Sequence, residues 1–261
     1  MRALALTPAG EAPAPVAPQP SEDVGDLLTR GKALIAQKQY AEALPLFERA
    51  TQRAPRSFDA WGNLGRMFGE LGRHQEALAA DDRALALDDK QAWVWSNKGA
   101  TLYGLKRYEE ALVAYERALA LDPNYTAAWS NKGIALYGLG RYEEALAAYD
   151  RALALDANDP DTWNGRAMTL LGLQRYDEAM AAVDRSLALD PEDGNTWDTK
   201  GQILNALHRY QDALLCLDRA IILDPKLAEI WHNRAVALRG LGRTAEAEAA
   251  EKRARELGWK G

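Results

Sequence analysis

The chain is poor in the residue types that usually carry chemistry. Of its 261 residues only one, Cys216, is a cysteine, so no disulfide can close within the chain, and a reducing, cytoplasmic location is the expectation. The opening residues are too weakly apolar for a secretory segment. The three histidines, His74, His208 and His232, share no ligand spacing, which argues against a metal site. No apolar run approaches the roughly 18 residues that a membrane-spanning helix needs. The stretch GKALIAQK from Gly31 to Lys38 lacks the upstream glycine and the following Ser or Thr of a phosphate-binding loop. Carboxylates are spread evenly over helix faces, so no pair stands out for acid–base work. Lys and Arg number 32 against 38 Asp and Glu, a balance of 32 − 38 = −6, without the basic excess that a nucleic-acid footprint requires. These shortages point away from enzymatic chemistry, cofactors, nucleic-acid binding and membrane insertion.

What the chain has is repetition. The thirty residues from Trp95 to Asn124 return 34 residues later, from Trp129 to Asn158, with 24 of the 30 positions identical. Trp61, Trp95, Trp129, Trp163, Trp197 and Trp231 keep the same interval of 34 without a slip. That period is too long for a heptad and fits a helix–turn–helix unit. Placing the Trp at the fourth position divides the chain into seven units: 24–57, 58–91, 92–125, 126–159, 160–193, 194–227 and 228–261. Leu27 takes the Trp place in the first. In the third unit Trp95, Gly99 and Leu102 share one helix face, residues 105–107 turn the chain, and Ala111, Tyr115, Ala118 and Leu119 share the next. Asp122-Pro123 ends the second helix, and Asn124 or Thr126 is the expected cap of the one after. Gly99 and Ala111 leave room for close helix packing, and the Trp is expected to fill the gap between units. One hairpin cannot bury its apolar faces alone, so each copy supplies half of its neighbour's core.

These residues resemble the tetratricopeptide repeat family, whose pattern has Trp at position 4, Gly or Ala at 8, Ala at 20, an apolar or aromatic residue at 24, Ala at 27 and Pro at 32. Trp95, Gly99, Ala111, Tyr115, Ala118 and Pro123 match it, as do Trp197, Gly201, Ala213, Leu217, Ala220 and Pro225. The resemblance covers residues 24–261. It implies an all-α, right-handed superhelical solenoid of antiparallel helix pairs, with a concave groove that binds peptides or other proteins. The second unit departs from the pattern with Asp81 at position 24. Two readings stand for it: an ion pair with Arg66 or Lys98, or a shifted helix that leaves it in solvent. The last unit is polar at the same places, as a terminal cap should be. Position 7 is cationic at Lys98, Lys132, Arg166, Lys200 and Arg234, consistent with long side chains lying along apolar surface.

Carrying the family's groove positions over, residue by residue, gives Asn63, Arg66, Trp93, Asn97, Tyr103, Asn131, Ile134, Tyr137, Met168, Leu171 and Asn233 as candidate peptide-binding residues. Asn63, Asn97, Asn131 and Asn233 share position 6, where an amide can pair with any peptide backbone. This resembles the asparagine ladder of O-GlcNAc transferase repeats, although Gly165 and Thr199 interrupt it here. The other reading of these amides is local bonding within the helix. Trp93 reads either as an anchor for a partner or as packing between units. No unit carries Lys at 5 with Asn at 9, so the family's clamp for acidic chaperone tails is not expected. Residues 1–23 are Ala/Pro-rich and are expected to form an extended tail. The expected function is a non-catalytic scaffold that binds an extended peptide or a helix of a protein or peptide partner in its concave groove. Its alternatives are a self-assembling scaffold, for which a homo-oligomer is one form, and a regulatory or targeting subunit of an enzyme on another chain.

Overall fold

The computed structural model describes residues 23–260; of the tail expected over residues 1–23, residues 1–22 lie outside them. Among the described residues there are fourteen α-helices and no strands. They pair as α1 (Val24–Ala36) with α2 (Tyr40–Arg53), α3 (Phe58–Glu70) with α4 (His74–Leu87), α5 (Ala92–Gly104) with α6 (Tyr108–Leu121), and α7 (Thr126–Gly138) with α8 (Tyr142–Leu155). Then follow α9 (Pro160–Gly172) with α10 (Tyr176–Leu189), α11 (Gly194–Ala206) with α12 (Tyr210–Leu223), and α13 (Ala228–Gly240) with α14 (Thr244–Glu256). The seven pairs stack in chain order. From α3 to α13 each first helix also touches the first helix of the next pair, while the second helices form no comparable row. The first helices therefore line the inner, concave side of a superhelical solenoid.

The repeat's small residues let the helices of a pair approach closely. At Gly99 an added Cβ would sit 2.5 Å from the Tyr115 ring, and at Gly133 one would sit 2.7 Å from the Tyr149 ring. Each glycine is the socket for a buried tyrosine one helix later. The tight turn after a first helix places its second residue in the left-handed region. Gly72, Gly140 and Gly242 occupy it at no steric cost, but Lys38, Lys106, Gln174 and His208 also do, with φ between 57° and 60°.

The repeated Trp does something the sequence pattern does not disclose. It packs against the apolar clusters between units as expected but stays half-buried, and the fully buried residues are those just before it, such as Val94, Ala128 and Ile230. Each indole N–H donates to a backbone carbonyl six residues earlier, in the loop that closes the preceding pair: Trp95 to Asp89 at 2.8 Å, Trp129 to Pro123 at 2.9 Å, Trp163 to Ala157 at 3.0 Å. At Trp95, Trp129, Trp163 and Trp197 the cation three residues later lies over the ring, with Lys98 Nζ 5.5 Å from the Trp95 centroid, and reaches back to an acid on the preceding second helix. Lys98–Asp82, Lys132–Glu116, Arg166–Asp150, Lys200–Asp184 and Arg234–Asp218 form this series, at 2.6 to 3.2 Å. The cationic stripe is thus structural, a set of seams between neighbouring pairs.

Two local expectations are corrected. The N-cap of α7 is Tyr125, which makes no side-chain cap bond, and Thr126 is already the first residue of the helix. Asp81 is fully buried and pairs with no cation: Lys98 is held by Asp82, Arg66 lies 4.0 Å from Glu70, and Asp81 accepts a hydrogen bond from the Thr101 hydroxyl at 3.1 Å. Burial raises its carboxyl well above the ordinary range, the Thr101 bond opposing.

Candidate functional site

The first helices of the second and third pairs face a concavity of about 680 Å³ that reaches from α1 to α7. It takes its shape from small residues on its walls: Gly69, Ser96, Ala100 and Ala127 present little side chain to it. Five of the sequence-derived candidates line it, namely Asn63, Arg66, Trp93, Asn97 and Asn131. They stand in different electrostatic states.

Asn63 is almost wholly buried, and its amide donates to the Asp59 carbonyl at 2.7 Å and to Asp59 Oδ1 at 2.8 Å, one turn back in its own helix. Asp59 also pairs with Lys32 at 2.7 Å, so the N-terminal wall is an internally satisfied triad. Asn97, 34 residues on, has its Nδ2 buried with no hydrogen-bond partner among the described residues. A buried amide donor left without a partner costs about 1–3 kcal/mol, a cost that an arriving acceptor would remove. Asn131 continues the row on α7, half-buried, at the far wall. Trp93 serves both readings made for it. Its ring lies against α3, where a Cβ on Gly62 would come within 2.4 Å of it, and it also walls the concavity.

The remaining candidates lie outside this concavity. Tyr103 packs on Tyr108 with ring centroids 5.2 Å apart, and Tyr137 on Tyr142 at 5.4 Å, each tyrosine riding on the first residue of the next second helix. Burial raises both phenols above their ordinary range. Ile134 is exposed on α7, and Met168 and Leu171 are half-buried on α9, with Leu171 against the core of the fifth pair. Asn233 is engaged inside the protein: its Nδ2 donates to Asp198 Oδ1 and Oδ2 at 2.9 and 3.1 Å, across two repeats. Gln202 adds a donor to Asp198 at 2.8 Å, yet burial outweighs both bonds and lifts that carboxyl to about 6.

Five further residues line the concavity that the sequence reading does not single out: Lys32, Ile35, His74, Thr101 and Tyr125. Lys32 and Ile35 occupy groove positions of the first unit, so counting from α1 would have found them. His74, Thr101 and Tyr125 stand at places that face the core or the loop in the repeat pattern, and Thr101 lies beside Gly69, which has no side chain to cover it.

Models of the tetratricopeptide repeat match residues 28–92, 92–125, 114–147, 133–194 and 199–261, which leaves little of the solenoid unmatched. The chain belongs to the tetratricopeptide repeat family. No curated protein sequence matches it. Among solved structures it is similar to a tetratricopeptide repeat protein from Parabacteroides merdae, at 18% identity and a TM-score of 0.71, over 91% of this chain and 94% of that one. It is also similar to TTC0263 from Thermus thermophilus, at 26% identity and a TM-score of 0.60, over 71% and 99%. A third is YrrB, described as a tetratricopeptide protein with an unusual peptide-binding site, at 23% identity and a TM-score of 0.57, over 75% and 97%. These likenesses establish the tetratricopeptide fold. Among the described residues no helix is long and apolar enough to cross a membrane.

Proposed function

We propose that this protein is a non-catalytic interaction scaffold that holds an extended peptide segment of a partner protein along its first helices, and that it works in the cytoplasm. The observation that carries the reading is the buried, unpartnered Nδ2 of Asn97 in the wall of the concavity, with Asn131 one repeat further along the same row. Amides at a 34-residue interval on stacked first helices present donors and acceptors at regular steps, which suits a peptide backbone of any sequence. Trp93 offers the apolar surface such a backbone track needs for affinity. The unusual peptide-binding site of YrrB belongs to that protein, and it is a precedent for peptide capture on this fold.

The test is a random peptide library selected on the purified chain, followed by calorimetry with the enriched peptides. Asn97→Ala with Asn131→Ala should weaken binding by about 1–3 kcal/mol for the two bonds lost, and Trp93→Ala by roughly 2 kcal/mol or more. Glu143 and Glu144 lie on α8, on the outer side, and their replacement by Ala should leave affinity unchanged. Loss of binding in the α8 variant with retention in the other two would overturn the reading.

A further inference from the structure

The second pair departs from the third and fourth at three places that those two fill with tyrosine. The third and fourth pairs carry Tyr103 and Tyr137, Tyr108 and Tyr142, Tyr115 and Tyr149; at the matching places the second pair has Gly69, His74 and Asp81. In the third pair the Tyr103 ring covers Tyr108. In the second, Gly69 has no side chain to cover His74, and the uncovered space is the end of the concavity bounded by Gly69, His74, Asn97 and Thr101.

The chemistry exposed there is polar and unfinished. His74 Nδ1 and Asn97 Nδ2 are buried and have no hydrogen-bond partner among the described residues. Thr101, nearly fully buried, spends its proton on Asp81 and keeps its oxygen lone pairs free to accept. A flat apolar body can stack where Tyr103 stacks in the next pair, and a tip that both donates and accepts can serve the floor. Aliphatic side chains satisfy the first requirement only, and short polar ones the second only. A phenol satisfies both.

We propose that the bound peptide supplies this missing ring: a tyrosine side chain of the partner enters beside Gly69, lies over His74 as Tyr103 lies over Tyr108, and turns its hydroxyl to the floor made by His74, Asn97 and Thr101. This rests on the peptide-binding reading above and names the residue that reading leaves open. Specificity then comes from an absence: where the third and fourth pairs carry Tyr103 and Tyr137, the second has Gly69.

The experiment compares the parent chain with Gly69→Tyr, which restores the ring found in the third and fourth pairs. The fold tolerates the change, since a Cβ at Gly69 meets nothing closer than Thr101 Oγ1 at 3.9 Å, and circular dichroism melting checks that it does. Random peptides are selected on each protein and sequenced. The expected result is enrichment of tyrosine at one peptide position on the parent and none on Gly69→Tyr. Replacing that tyrosine by Phe should weaken binding about 3- to 10-fold, the range for one hydrogen bond, and by Ala about 30-fold or more, as for an interface anchor. His74→Phe should erase the preference for Tyr over Phe while still accepting a ring. Tyrosine-free peptides that bind Gly69→Tyr as well as the parent, and lose affinity with Asn97→Ala and Asn131→Ala, would overturn this inference and leave the groove reading intact. Failure of the parent to select any peptide would overturn both.

Discussion

The indole Nε1–H of Trp129 donates to the backbone carbonyl of Pro123 at 2.9 Å, tying the first helix of one pair to the loop that ends the pair before it. Because the ring is only half-buried, part of its contribution is this bond rather than burial. Trp129→Phe keeps most of the apolar contact and should cost about 0.5–1.5 kcal/mol. Trp129→Ala loses both and should cost about 3 kcal/mol, at the low end for a large aromatic. Urea unfolding of the two variants checks this, and a Trp129→Phe variant as stable as the parent would mean that the hydrogen bond contributes nothing.

Asp81 is a buried carboxyl in a socket built for an apolar residue. Gly201 receives Leu217 at the matching place of the sixth pair, and Gly65 offers Asp81 the same room. Asp81→Leu should therefore raise stability at pH 7 by about 1–3 kcal/mol. The Thr101 hydroxyl would turn to the carbonyl four residues back, as Thr169 does to Gly165 at 2.8 Å. A fall in melting temperature would show that Asp81 is better satisfied than its single bond implies.

Asp198 titrates within reach of experiment. Burial lifts its carboxyl to about 6 in the folded state, against an ordinary value near 3.8. The folded protein then binds the proton more tightly than the unfolded chain does. Its contribution is fully present below about pH 4 and is lost as the pH rises through about 6. The parent should gain about 1–3 kcal/mol relative to Asp198→Asn as the pH falls from 7.5 to 4.5. Chemical denaturation of both proteins at each pH measures that difference, and a flat difference would contradict the assignment.

Lys106 sits at φ 60° in the turn between α5 and α6, where Gly140 holds the matching place one pair later at φ 72°. Lys106→Gly relieves the left-handed strain and should stabilise by roughly 0.5–1 kcal/mol. Gly140→Ala should cost about the same or more, even though nothing lies within 4 Å of an added Cβ there, because its penalty is in the backbone. Thermal melts of the two single variants should move in opposite directions.

The 34-residue interval of the Trp residues made the helix pairs legible, because a strict period leaves one hairpin per unit and one way to stack them. The groove was legible by face: Asn97, Asn131 and Trp93 lie where their positions in the repeat put them. Their bonding states were not. Asn63 and Asn97 read alike in the sequence, yet Asn63 is claimed by Asp59 one turn back, while Asn97 has Trp93 at that place and finds no acceptor. Asn233 is claimed by Asp198 from two helices away in the chain, a pairing that depends on how the first helices stack. The concavity itself was hidden because small residues such as Gly69, Ser96, Ala100 and Ala127 shape it by the bulk they lack.

The repeated seams between pairs run one way. From α5 to α13 the repeated Trp and the Lys or Arg three residues after it reach back to the loop or second helix already made, as Trp95 does to Asp89 and Lys98 to Asp82. A chain leaving the ribosome amino end first can therefore lock one hairpin each time a single further helix emerges, without waiting for distant sequence. Growth and consolidation keep the same direction, so the least secured part of the nascent chain is always its newest hairpin, and no long unfinished stretch is left exposed to other chains while synthesis continues.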